Sequence, residues 1–248
     1  MIFSKTMTQD LLDGFDIDAP YVTEVRRLLQ NLARRHGNAK PEDRVYMVTS
    51  AARDEGKSTT CALMAIVAAR IFHRRTLLID GDLRRPTIHS LLRVARGPGL
   101  REILQGTVSV RDATRPTALP LLSVITRGDS VTPASEVYTD EGFAGLISDS
   151  RSKYDLIFVD GAPVVPVMEP ILMAEHVDAI LIIAMAGRTP ITQVRRSMQI
   201  LTPVASKIAG VVLNNAMEGL PYYYDYRYYG YKERKPAPVG KETVSGPQ

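Results

Sequence analysis

The stretch from Tyr46 to Thr60, YMVTSAARDEGKSTT, constrains this chain more than any other. An apolar run from Val45 to Val48 ends in a small polar turn. The turn carries Gly56-Lys57-Ser58 and opens onto a second apolar stretch from Cys61 to Phe72. Strand, loop and helix in that order, joined by glycine, lysine and serine, make a phosphate-binding signature of the pattern A-x4-G-K-S. Ala51 takes the first position, where glycine is the commoner residue. The chemistry follows from local geometry. Backbone N–H groups and a helix N-terminus converge on an anion. Gly56 lets the main chain approach closely, Lys57 reaches the β- and γ-phosphates, and the Ser58 hydroxyl ligates Mg²⁺. A chance turn at a helix start is the plain alternative, and the strand–turn–helix setting argues against it.

Two later apolar runs also end in acids. Leu77-Leu78-Ile79 leads into Asp80 and Asp82, followed by Arg84-Arg85-Pro86. Leu156-Ile157-Phe158-Val159 leads into Asp160. In open α/β sheets ligands sit at the carboxyl ends of the strands. Asp80, Asp82 and Asp160 are therefore candidates for Mg²⁺ ligation or base chemistry, and the last run reads as a Walker B strand. Solvated turns after strands are the bland alternative for each acid. Further apolar runs at 119–125, 178–185 and 207–214 read as strands, with helical segments at 87–106, 136–146 and 189–201 between them. Thr189-Pro190 reads as the cap of the last of these helices. Fully apolar strands alternating with helices predict an α/β fold: a mostly parallel central sheet with helices on both faces.

Before this core, residues 1–19 are polar and acidic and read as a flexible lead-in. Residues 21–35 place Val22, Val25, Leu28, Leu29 and Leu32 on one helical face, and Gly37 stops that helix. After residue 220 the composition changes. Residues 221–231 read PYYYDYRYYGY and hold seven of the chain's eleven tyrosines. Pro, Lys and Gly then dominate, which predicts a disordered tail over 221–248, leaving residues 20–220 as the folded domain. The cluster reads either as a sticky aromatic patch or as phosphorylatable hydroxyls on a tether.

The bulk numbers narrow the setting. A chain of 248 residues suits one α/β domain with tails. One cysteine, Cys61, excludes a disulfide framework and suggests a reducing compartment. No apolar run approaches the roughly 18–20 residues that span a bilayer, and the N-terminus lacks a signal-peptide core. A soluble, cytoplasmic protein is expected. The net charge of +4 is spread in short basic clusters, which argues against nucleic acid as partner.

Taken together, these residues resemble the bacterial tyrosine kinases (BY-kinases) of capsule and exopolysaccharide export, over about residue 20 to the end. The resemblance rests on Ser50-Ala51-Ala52-Arg53-Asp54-Glu55-Gly56-Lys57-Ser58 and on the Walker A′ stretch Leu78 to Pro86 with His89 and Pro98-Gly99-Leu100. Pro133-Ala134-Ser135-Glu136, Tyr154 to Asp160 with Pro163-Val164, Gly210 to Asn214 and the tyrosine cluster complete it. It implies a P-loop NTPase fold that binds ATP and Mg²⁺ through Ala52, Arg53, Asp54, Glu55, Gly56, Lys57, Ser58 and Thr59. It further implies that Ser58, Asp82 and Asp160 hold the metal, that Asp80 accepts the tyrosine proton, and that Asn214 contacts adenine. Lys57, Asp80, Asp82 and Asp160 would then form the catalytic set. Tyr222, Tyr223, Tyr224, Tyr226, Tyr228, Tyr229 and Tyr231 would be the phosphoacceptors, autophosphorylated between subunits of a ring-like homo-oligomer.

The implied partners are the cytoplasmic segment of a transmembrane polysaccharide chain-length regulator, which would recruit the chain to the inner face of the membrane, and a cognate tyrosine phosphatase. Three positions depart from the family pattern. Arg53-Asp54 replaces Pro-Gly, and Asp tolerates positive φ better than most residues. Gln30 replaces an arginine of the first helix, and Glu169 stands where Asp is usual. Two other readings share the motifs: an ATPase switch of the MinD/ParA type, and a nucleotide-binding scaffold that transfers no phosphate. The MinD/ParA pattern places lysine at the position of Ala52 and often ends in an amphipathic helix, so both features here favour the kinase.

Overall fold

The computed structural model describes residues 11–35 and 45–216. In chain order the helices and strands are α1 (Pro20–Arg35), β1 (Val45–Ser50), α2 (Lys57–Arg70), β2 (Thr76–Gly81), α3 (Ile88–Leu91), α4 (Leu100–Leu104), α5 (Val110–Ala113), β3 (Arg115–Pro116) and β4 (Leu122–Ile125). There follow α6 (Ala134–Val137), α7 (Asp140–Arg151), β5 (Leu156–Gly161), α8 (Glu169–Ala174), β6 (Ala179–Met185), α9 (Ile191–Ile200), a 3-10 turn (Thr202–Lys207) and β7 (Ile208–Asn214).

The seven strands form one sheet in the order β3-β4-β2-β5-β1-β6-β7. All neighbours are parallel except β3, which runs antiparallel along β4. Every residue of β1 and β2 is buried, as expected of strands covered on both faces. One face packs against α1, α2 and α3, with Val48, Leu78, Phe158, Leu181 and Ile183 pointing into that layer. The other face, with Met47, Ile79, Val159, Ile180 and Ile182, packs under α4, α7 and α8. This is the alternation that period-two side-chain geometry demands.

Helix α2 is buried almost all round, from Lys57 to Ala69, so it is a core element rather than an amphipathic cover. Outside it lies α1, which turns Val22, Val25, Leu29 and Leu32 inward and leaves Leu28 partly buried. The expected helical face is thus the packed one. No helix among the described residues is long and apolar enough to cross a membrane.

Some sequence expectations need correcting. The lead-in is not loose over residues 11–19. Leu11 is fully buried, Phe15 packs in the α1–α2 layer, and the Leu11 amide donates to the Leu91 carbonyl. Leu12 and Ala19 of the same segment pack against that layer as well. The strand expected over 119–125 is regular only from Leu122, because a turn at 119–122 precedes it. The helix expected over 136–146 is two helices, α6 and α7, separated at Tyr138-Thr139. Residues 1–10, 36–44 and 217–248 lie outside the described residues, and with them Gly37 and the whole tyrosine cluster.

Candidate active site

Register brings the acids together. Val48 of β1 and Asp80 of β2 both stand level with Asp160 of β5. The loop leaving β1 therefore meets the carboxylates of two adjacent strand ends, and Asp82 follows just beyond β2. Sequence distance of about a hundred residues is closed by sheet pairing alone.

The loop itself takes an unusual shape for its sequence. Asp54 has φ of +59° and Gly56 has φ of +83°. Asp54 thus occupies the left-handed region, which aspartate tolerates and the departure from Pro-Gly required. A side chain at Gly56 would also run into the Asn214 amide. Gly56 then serves as the first flanking residue of α2, whose free N-terminal amides face the cleft. The Glu55 carboxylate is buried rather than presented to the cleft. It accepts from the Ala52 amide at 2.9 Å and from the Thr189 hydroxyl. Asn214 donates from Nδ2 to the Glu55 carbonyl at 3.0 Å, and Arg188 Nη1 donates to the Asp54 carbonyl at 3.2 Å.

Lys57 lies among acids. Its Nζ is 3.0 Å from Asp82 Oδ2 and 3.7 Å from Asp160 Oδ1, and it donates to Ser58 Oγ at 3.1 Å. Burial works against its charge, yet Asp160 and then Asp82 outweigh burial and hold the ammonium above its ordinary range. Asp80 is fully buried and accepts from the Ile88 amide at 3.1 Å through Oδ2. Burial first, then the neighbouring Asp160 charge, push its carboxyl well above the usual range. Burial likewise pushes Asp160 up to about 6, although Lys57 pulls the other way.

This constellation suits a cation. One lysine faces three carboxyl groups, and Asp80 Oδ1 and both oxygens of Asp160 are buried with no hydrogen-bond partner among the described residues. Groups so placed are costly unless something compensates them. Among the described residues no group of three or more His, Cys, Asp or Glu could hold a metal by itself. A metal bound beside Ser58, Asp82 and Asp160 would therefore draw most of its ligands from phosphate and water, as Mg²⁺ commonly does.

A cleft of about 960 Å³ opens over the loop. Arg53, Asp54, Gly56, Lys57, Ser58, Thr59, Asp82 and Asn214 line it, so eight of the twelve expected site residues that the structure describes share one cavity. Ala52, Glu55, Asp80 and Asp160 do not line it. Glu55, Asp80 and Asp160 are buried instead. The far side is basic and apolar: Arg84, Arg85, Pro163, Pro166 and Val167. Glu169 is buried and holds Arg84, with Nη2 to Oε1 at 2.9 Å.

Two contributors escaped the sequence reading. Arg101 is buried and donates to the carbonyls of Leu83, Ser130 and Thr132, which ties the segment after Asp82 to the 130–132 loop. Nothing in its local sequence signals this. Thr189 was expected to cap α9, but that helix has Pro190 at its N-cap and no side-chain cap bond. The Thr189 hydroxyl instead accepts from the Met185 amide and donates to Glu55.

No established family profile matches the chain. Its sequence is 31% identical over 191 residues to the tyrosine-protein kinase Wzc of Salmonella typhi, covering 77% of this chain and 26% of that protein. It is 29% identical over 187 residues to the tyrosine-protein kinase YwqD of Bacillus subtilis, covering 75% of this chain and 78% of that one. Over about three quarters of its length the chain is similar to bacterial tyrosine kinases. It spans about a quarter of the length of Wzc. A third relative is the succinoglycan biosynthesis transport protein ExoP of Rhizobium meliloti, 32% identical over 226 residues, covering 89% of this chain and 29% of that protein.

Among solved structures, the kinase domain of the Escherichia coli tyrosine kinase Etk superposes with a TM-score of 0.71 at 29% identity, covering 77% of this chain and 73% of that one. The septum site-determining protein MinD of Pyrococcus horikoshii, solved with Mg-ADP, superposes at 0.60 with 19% identity, covering 68% and 69%. That second likeness shows a shared fold alone.

Proposed function

We propose that this chain is an ATP- and Mg²⁺-dependent protein-tyrosine autokinase that moves the γ-phosphate of ATP onto tyrosines of its own C-terminal cluster. The observation that carries this reading is the meeting of Lys57 with Asp80, Asp82 and Asp160 under a phosphate-binding loop, in a chain whose tail holds seven tyrosines. Support for the acceptor comes from the relatives, two of which are tyrosine-protein kinases by name.

The residues divide the work as follows. Loop amides from Ala52 to Thr59 and the N-terminus of α2 receive the phosphates. Lys57 leaves Asp82 and Asp160 for the β- and γ-phosphates. Ser58, Asp82 and Asp160 hold Mg²⁺, which when bound supplies charge neutralisation at the transferring group. Asn214, beside Gly56, contacts the adenine. The phenolic oxygen of an incoming tyrosine bonds to the γ-phosphorus as the bond to the β–γ bridging oxygen breaks. Its proton passes to Asp80, whose raised pKa makes it a competent acceptor once ionised.

On the same reading the chain works as a homo-oligomer at the inner face of the membrane. The cytoplasmic segment of a polysaccharide chain-length regulator switches it on, and a tyrosine phosphatase reverses the modification. The transport role in ExoP's name supports a place in exopolysaccharide export. Incubating the purified chain with ATP and Mg²⁺ and blotting for phosphotyrosine tests the reading. A signal that Lys57→Met abolishes is expected. ATP hydrolysis without phosphotyrosine, even with the regulator segment added, would leave an ATPase switch of the MinD type instead.

A further inference from the structure

The phosphate-binding loop presents a physical problem. It carries a glutamate directly before Gly56, and its backbone follows a left-handed turn at Asp54 with only one glycine to ease it. A carboxylate that close to bound phosphates would repel them if it swung into the cleft. The structure holds it elsewhere. Glu55 is 2% exposed and absent from the cleft lining. One of its oxygens takes the Ala52 amide, which closes the loop on itself, and the other takes the Thr189 hydroxyl.

Thr189 is equally constrained. Its hydroxyl accepts from the Met185 amide at 2.8 Å, at the end of β6, while donating to Glu55. A hydroxyl can do both at once; a methyl group can do neither. The residue before it, Arg188, donates to the Asp54 carbonyl, and Gly187 turns the chain with φ of +72°. The β6–α9 turn therefore grips the loop at Asp54 and Glu55, while β7 grips it through Asn214.

We infer that Thr189 is a positioning residue for nucleotide: it fixes the Glu55 carboxylate away from the cleft, and so keeps the loop amides turned toward the phosphates. This rests on the nucleotide-site part of the proposed function. It adds a residue outside the loop, from the strand on the other side of β1, as a determinant of phosphate affinity. The effect belongs to binding, since Thr189 touches neither the acceptor nor the reacting phosphorus.

The test is ADP affinity, measured by calorimetry on the full chain, with Thr189→Val, Thr189→Ser, Glu55→Gln and the double variant Thr189→Val/Glu55→Gln. Valine keeps the shape and loses both hydrogen bonds. Thr189→Val should weaken ADP binding by about tenfold, the scale of losing a hydrogen bond to a charged group. Thr189→Ser should retain wild-type affinity. In the double variant the uncharged amide removes the repulsion, so the loss should be smaller than in Thr189→Val alone. The kinetic counterpart is a raised KM for ATP with kcat at saturating ATP little changed.

Equal affinity of Thr189→Val and wild type would overturn the inference. So would a double variant that binds ADP as poorly as the two separate losses added together, because the valine would then act independently of Glu55. Intact ADP binding without any phosphotyrosine counts against the kinase reading and leaves this role standing.

Discussion

At the level of single residues, the site is built from groups held in states that water would not choose. Asp160 has no exposed surface, and neither of its oxygens has a hydrogen-bond partner of good geometry among the described residues, while the Lys57 ammonium lies 3.7 Å away. Its folded pKa of about 6 lies above the 3.8 of a free carboxyl. The native chain thus holds an extra proton between those values, and this group's contribution to stability falls as pH rises through that window and stays low above it. Asp160→Asn should therefore raise Tm by a few degrees at about pH 8, and the gain should shrink on acidification and vanish below about pH 3, where the wild-type carboxyl is protonated in both states. A pH series of melting curves reads this directly, and a constant gain at all pH values would refute it. The same variant should lose phosphotransfer, since stability and function pull this residue in opposite directions. The acids were legible in the sequence because an apolar run pointing at a charged end is a local pattern. Thr189 and Arg101 were not legible as site supports, because their partners lie more than a hundred residues away in one case and across a loop in the other.

Elements were read more easily than their ends. Continuous apolar runs identified the five long strands, and the helical face of α1 was visible as spacing. What local pattern could not show was β3, only two residues long and dependent on β4 for its pairing. Nor could it show that a polar segment at 11–19 would be anchored by Leu11 and Phe15. Helix α1 offers the element-scale prediction. Leu32 is buried in the α1–α2 layer, while Leu28 on the same helix only packs against its margin. Leu32→Ala should cost about 2–4 kcal/mol in urea unfolding, and Leu28→Ala clearly less. Equal losses at both positions would mean that α1 is seated differently on α2.

For the molecule as a whole, the parallel sheet has one task that matters for function. It sets the ends of β1, β2, β5, β6 and β7 along one edge, so that the loop with its lysine, the acids after β2 and β5, and Asn214 converge from distant parts of the sequence. The described chain leaves this edge at Ala216, directly after Asn214 and Asn215, both of which line the cleft. Tyr222 is six residues further on, within about 20 Å of extended chain. On the proposed function, tyrosines joined to the chain so soon after cleft-lining residues would reach a high effective concentration for that site or a neighbouring copy's. The most direct test follows the phosphorus itself. The full chain is incubated with γ-labelled ATP and Mg²⁺, digested, and the label located by peptide mapping. The account predicts label on tyrosines between Tyr222 and Tyr231, and none in Lys57→Met or in a chain with all seven changed to Phe. Label released solely as inorganic phosphate, with the tail unmodified even when the regulator segment is present, would contradict it.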